Sequence, residues 1–155
     1  DKPNIDTPPK KKEDHRVAGT SFRIDDILDL MDENPVYDYT KKELVEEGFI
    51  DERIYKLRAY YGSAVLEPEP DNPNDPKAIK VLTKGVHIGY IKSGSCGHIH
   101  RLLREGLIEK TEVEIGGGSY KVVLEEYDDY TDKSTYTIDK DKTPHYAVVT
   151  LTIKE

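Results

Sequence analysis

Among its 155 residues the chain has one cysteine, one methionine, two phenylalanines and no tryptophan. The single thiol, Cys96, excludes an internal disulfide and leans toward a reducing compartment. Hydrophobic residues make up only 35%, so the expected core is small and much of the chain is solvated surface. No apolar run approaches the ~20 residues that cross a bilayer as a helix. The opening DKPNIDTPPKKKED is polar and carries no signal-peptide pattern. These absences predict a cytoplasmic protein with no membrane segment. Catalytic signatures are missing too. There is no HExxH and no Ser-His-Asp order, and the glycines at 116–118 lack the lysine and following helix of a P-loop. Cys96 and His100 share a helical spacing, but no CxxC or HxxxH set completes a zinc site. The expectation is therefore a protein with no enzymatic activity, no cofactor and no metal.

What the chain does have is tyrosine, eleven of them, and charge, at 35% of residues with a net of −8. Tyrosine suits half-buried sheet positions, where the ring packs and the hydroxyl stays wet. A negative total argues against broad nucleic-acid affinity, but the charge is uneven. Residues 24–58 carry 11 acids and 5 bases, whereas residues 59–108 carry 5 acids and 6 bases. The acidity lies in the flanks, so the net charge does not settle what the middle binds.

Periodicity divides the chain. Residues 1–15, with paired prolines and a KKK run, read as a disordered leader. A strand is predicted at 16–22. Ile24, Ile27, Leu28 and Met31 fall on one helical face. Thr40 and Glu43 form a capping box before a second helix that Gly48 ends. Residues 24–58 thus read as an acidic helical insert, which either packs on the protein's own sheet or docks a protein partner. A strand follows at 58–68, with Tyr60 and Tyr61 on opposite faces. AIKVLT (78–83), KG and VHIGYIK (86–92) spell a β-hairpin. In its second strand Val86, Ile88 and Tyr90 alternate against His87, Gly89 and Ile91. A helix is predicted at 97–106, with Ile99, Leu102 and Leu103 facing the core. GGG (116–118) reads as a flexible loop between two strands. Two further strands, 134–138 and 146–153, belong to a C-terminal extension, 124–155. The fold class is mostly β (α+β): an OB-like antiparallel β-barrel with a side helix, a single domain over 16–155.

Between these strands lies EPDNPNDPKAIKV (69–81), a proline-stiffened turn in which Asn72 and Asp75 can bond their own backbone as Asx-turns. The same stiffness fixes both side chains in space. The order AGTSF, EPDNPNDPKAIKV, VHIGYIK and a helix ending LLREG resembles the HIRAN domain, over residues 17–23 and about 59–123. That module is fused to helicase-like transcription factor and related DNA-repair translocases, and also occurs free-standing in bacteria and phages. The resemblance implies an OB-like barrel gripping the 3′ end of single-stranded DNA without catalysis. Aromatic rings would stack on bases and an Asp would meet the free 3′ hydroxyl. On this sequence it assigns stacking to Phe22 and Tyr120. It assigns the DNA end to Asn72 and Asp75, and the backbone to Arg23, Tyr90 and Lys92. Two positions depart from the DNA-binding pattern: Asn74 stands where a Tyr is expected, and Ser93 where a Lys is. These departures and the acidic flanks motivate the alternative, a protein-interaction or scaffolding domain that keeps the fold without DNA affinity.

Overall fold

The computed structural model describes residues 10–154, so most of the expected leader, residues 1–9, lies outside the described residues. The rest of that leader is ordered, because strand β1 already begins at Lys11 and runs to Ala18. Its inward positions are Glu13, His15 and Val17, of which only Val17 is apolar. The strand forms because its partner supplies the hydrophobic side. Lys11–Arg16 pair antiparallel with Val148–Ile153, and Val149 and Leu151 there are fully buried.

The chain separates into two compact units. The first comprises residues up to Leu28, Tyr61–Glu114 and those from Tyr146 on. After β1 come a 3-10 turn, Thr20–Arg23, and the short helix α1, Ile24–Leu28. Strands β3 (Tyr60–Ser63), β4 (Val65–Pro68), β5 (Ile79–Thr83) and β6 (Val86–Ile91) follow β2 (Ile54–Tyr55), which belongs to the other unit. Helix α3, Ser93–Arg104, then leads into the long strands β7 (Ile108–Asp128) and β8 (Lys133–Ile153). Within this unit the strand order is β7-β8-β1-β6-β5-β4, with β3 also paired to β7. The sheet is antiparallel and is not closed by hydrogen bonds, a mostly-β arrangement compatible with an OB-like fold.

The β5–β6 hairpin forms as the alternation predicts. Lys84 and Gly85 both take positive φ (50° and 76°), the conformation a tight two-residue turn needs. The facing of β6 differs from simple alternation, however. Ile88, Gly89 and Ile91 are buried, while His87 and Tyr90 share the other side. The register shifts at Val81/Leu82, and Gly89 has φ 150° with a virtual Cβ only 2.4 Å from the Ala18 carbonyl oxygen. Glycine there lets β1 press onto β6 and breaks the period of two. Helix α3 buries Cys96, Ile99 and Leu102. Leu103, expected in the core, lies on the exposed side, because a stripe at every third residue leaves it off the buried face.

The second unit is Asp29–Tyr60 with Ile115–His145. It holds a 3-10 turn at Pro35–Asp38, helix α2 at Lys41–Glu46 and strand β2 at Ile54–Tyr55. The capping box forms: the Glu43 amide donates to Thr40 Oγ1 (3.2 Å), and the Thr40 amide donates to Glu43 Oε1 (3.1 Å). Leu44, Ile54 and Val123 are the buried centre, covered by Val36, Tyr37, Tyr39, Val45, Phe49, Tyr136 and Ile138. Much of the insert's apolar surface is thus used inside its own unit. The helix predicted over Ile24–Met31 stops at Leu28, and α1 groups with the first unit.

The predicted GGG loop is not a loop. β7 runs unbroken through Gly116–Gly118, and the two strands expected at 134–138 and 146–153 are one continuous strand, β8. A Cβ on Gly117 would lie 2.3 Å from the Pro144 carbonyl oxygen, and one on Gly118 would lie 2.6 Å from the His145 ring. These glycines serve close approach of two strands rather than flexibility.

Candidate nucleic-acid interface

The residues of interest in the first unit start from Gly19, whose left-handed backbone (φ 78°) turns the chain out of β1. The Phe22 amide donates to the Gly19 carbonyl (3.2 Å), closing the 3-10 turn. Phe22 is therefore not at the end of a strand, as expected, but on a turn, with its ring 91% exposed. A phenylalanine in that position contributes little to a core and presents both faces to a ligand.

Next to it, Arg23 and Glu69 both bear on the Tyr90 hydroxyl, the carboxylate raising its pKa and the guanidinium lowering it. Tyr90 is placed by β6, opposite Ala18 on one side and Lys80 on the other. Its ring meets His87 edge-on, with centroids 4.9 Å apart. Donation to Glu69 raises the Tyr90 pKa above the usual phenol value. Glu69 is held below the usual carboxylate range by the Tyr90 hydroxyl first and then by Asn72. His87 is pushed down by burial and then by the charges of Arg23 and Lys80, so it is biased toward neutrality.

The proline-rich turn is built as nested Asx-turns. Asn72 Oδ1 accepts from the amides of Asn74 (2.9 Å) and Asp75 (3.1 Å), while its Nδ2 donates to Glu69 Oε1 (3.2 Å). Asp75 Oδ1 accepts from the Lys77 amide at 2.9 Å. His100 Nε2 donates to the Lys77 carbonyl (2.8 Å), tying the turn to α3. The turn and β6 enclose an open cleft of ≈ 450 Å³, lined by Pro68, Glu69, Pro70, Asp71, Asn72, Pro73 and Tyr90. Asp75 is not among the lining residues. Its charge instead adds to burial in raising the pKa of the Cys96 thiol.

Residues 56–125 match the HIRAN domain family. Over that stretch the chain is similar to HIRAN domains. HIRAN domains form a family of nucleic-acid-binding modules. No curated protein and no solved structure matches the chain significantly. The HIRAN match includes Asn72, Asp75, Tyr90, Lys92 and Tyr120, whereas Phe22 and Arg23 lie before it.

Lys92, at the N-cap of α3, has an exposed side chain, and its amide is fixed to the Arg16 carbonyl. Tyr120 belongs to the second unit. There its ring lies 5.4 Å from that of Tyr55, its partner across β2 and β7, and the Arg53 guanidinium sits 4.6 Å from its centroid. The structure thus gathers Asn72 and Tyr90 around Glu69 and sets Arg23 near Tyr90, with Phe22 alongside Arg23 in sequence, and holds Tyr120 in a ring-and-cation stack of the second unit. Sequence reasoning missed Glu69, Lys80 and His87. Lys80 was hidden by the register shift at Val81/Leu82, since a regular hairpin would pair it with Gly89 and it faces Tyr90 instead. His87 was hidden by the break in period at Gly89. Of the two adjacent tyrosines, Tyr60 is buried at 9% exposure and Tyr61 stands 70% exposed.

Among the described residues, no group of three His, Cys, Asp or Glu side chains is placed to hold a metal. The side chains of CGHIH turn to other partners: Cys96 is buried, His98 donates to Glu13 and His100 to Lys77. No helix among the described residues is long and apolar enough to cross a membrane.

Proposed function

We propose that the first unit binds single-stranded DNA, without catalysis, and receives the 3′ end of the strand in the cleft beside Tyr90. The observation that carries this reading is Phe22, an exposed ring next to an arginine that reaches the wall of the cleft. Every base offers a π-face, so a ring of this kind takes any sequence, at about 1–3 kcal/mol per stacked base. Arg23, Lys92 and Lys80 supply the positive charge that phosphates need, and the Tyr90 hydroxyl supplies a polar contact. Asn72 and Asp75 hold the turn that shapes the cleft. The local charge supports this despite the acidic total, because residues 59–108 are near neutral with a basic excess. In the second unit, Tyr120 with Tyr55 and Arg53 offers a second stacking platform of the same chemical kind.

The test is fluorescence anisotropy with a short labelled oligonucleotide at low and moderate salt. With about three phosphates contacted, affinity falls roughly tenfold or more between ~50 and ~200 mM salt. Phe22→Ala weakens binding about tenfold with an unchanged melting temperature, since the ring packs on little. Equal affinity of Phe22→Ala and the unmodified chain would remove the basis of this reading.

A further inference from the structure

We infer that the outer face of the sheet in the first unit docks a protein partner through an arginine side chain, received at Glu114 beside Tyr61 and Tyr146. The inference stands apart from the single-strand reading and shares no residue with it. The face follows from the alternation of four strands. On β7, Val113 is buried, and Glu112 and Glu114 take the opposite side. On β8, Ala147, Val149 and Leu151 are buried, which leaves Tyr146, Val148 and Thr150 outside. β3 turns Tyr60 inward and leaves Tyr61 exposed, and β1 adds Lys12 and Asp14. Apart from Tyr146, which reaches it through Glu114, the outer side chains line one open cavity of ≈ 360 Å³. That is room for a long side chain and part of the backbone that carries it.

The charge of this cavity is the reverse of what a nucleic acid needs. Three acids, Asp14, Glu112 and Glu114, line it against a single base, Lys12. A phosphate there would meet like charge. Two of the acids are firmly engaged: Asp14 Oδ1 accepts from Thr150 Oγ1 at 2.7 Å, and Glu112 pairs with Lys110 at 3.5 Å. Glu114 is held more loosely, by the Tyr146 hydroxyl donating to its Oε2 at 3.3 Å. Its charge also bears on the Tyr61 hydroxyl and raises that pKa, so the phenol stays protonated at neutral pH. Among the described residues no cation pairs with Glu114. A carboxylate offers about four acceptor positions, so two hydroxyls leave room for further donors.

A cation is the ligand these groups share. The face of a tyrosine ring carries the negative part of its quadrupole, and Tyr61 is 70% exposed. The carboxylate beside it adds a full charge. Guanidinium suits the pair better than ammonium does. It is flat, so it lies on the ring while its fork of N–H donors meets Glu114. An ammonium is compact and strongly hydrated, and it gives up water to do either. The cavity is open and spread over several strands, so it holds a free guanidinium weakly. The arginine therefore arrives on a polypeptide, whose neighbouring atoms cover Val148 and Gly62 in the same cavity.

The test uses a labelled peptide, Gly-Ser-Arg-Gly-Arg-Ser-Gly, and its counterparts with lysine or with neutral citrulline in place of both arginines. Binding is read at low salt by anisotropy and by amide shifts in NMR spectra of the full chain. The arginine peptide is expected to bind saturably and to shift the amides of Tyr61, Glu114 and Tyr146. The lysine peptide binds about fivefold more weakly and the citrulline peptide about tenfold more weakly. Glu114→Gln weakens the arginine peptide about tenfold. Tyr61→Leu weakens it about threefold and brings the arginine and lysine peptides together, a second measurement if Glu114→Gln melts early. Asp129→Asn removes one charge from the second unit and leaves binding unchanged. Equal weakening by Asp129→Asn and Glu114→Gln would reveal general attraction to an acidic chain and overturn the inference. A lysine or citrulline peptide that binds as tightly as the arginine peptide overturns it as well. A concentration-dependent dimer that Glu114→Gln dissolves assigns the face to a second copy of the chain instead. Absence of saturable binding by the arginine peptide ends the inference and leaves the single-strand reading untouched.

Discussion

Glu13 shows how a single charged residue can hold an inward position. It lies on the inner side of β1 and accepts from His15 Nε2 (3.2 Å) and from His98 Nε2 on α3 (2.8 Å). Burial pushes its pKa up, but the bonds from His15 and His98, with the charge of His98, outweigh burial and hold it below the usual value. A carboxyl with a depressed folded pKa adds stability above its unfolded pKa and loses it as pH falls through the folded one. Glu13→Gln is therefore expected to melt below the unmodified chain at neutral pH, with the gap closing in acid. Thermal melts between pH 7 and pH 3 check this, and a gap of constant size would contradict it. The polar pairing also explains why the sequence pattern predicts β1 only from Arg16 on. Glu13 and His15 break the apolar alternation, and their partner His98 is remote in sequence. At the candidate site, Asn72, Asp75 and Tyr90 were legible as residue types in a stiff turn and a hairpin. Which carboxylate lines the cleft was not legible, because that depends on how the turn meets β6 and α3.

At the scale of elements, glycine carried the most ambiguous signal. A run of three glycines is the same string whether it frees a loop or lets two strands touch, and Pro144 and His145, which decide between the two, lie far along the chain. Gly117→Ala tests that difference. Its backbone φ of 90° strains any side chain, and the added carbon would also meet fixed backbone at 2.3 Å. Together these cost about 3 kcal/mol, or roughly 6–12 °C of melting temperature. Gly106→Ala, with φ 64° and nothing within 4 Å of the new carbon, carries the strain alone and is expected to lose about 1 kcal/mol. Equal losses at the two positions would mean that the contact with Pro144 is unimportant. The β5–β6 hairpin and the α2 capping box were readable because their determinants are local. The α1 boundary and the facing of β6 were not, because tertiary contacts set both.

At the scale of the whole molecule, each unit is assembled from separated stretches of chain. An acidic segment such as 24–58 suggests a removable appendage. The buried trio of Leu44, Ile54 and Val123 shows otherwise, since two of the three come from that segment and the third from β7. Replacing residues 29–60 by a short linker is expected to uncover Val123, Tyr136 and Ile138. The 115–145 segment then becomes susceptible to limited proteolysis and loses slowly exchanging amides. A deletion that leaves protection there unchanged would show that the segment folds without its cover. β1 pairs along Lys11–Arg16 with the end of β8, so two stretches at opposite ends of the described chain must find each other. During synthesis, β1 leaves the ribosome long before its main partner does. Contacts of such long separation form slowly. In that interval the stretch KKEDHR waits unpaired, and its dense mixed charge keeps it soluble and discourages pairing with the wrong edge. The polarity that disguises this strand in the sequence is thus also what lets it wait safely for its mate.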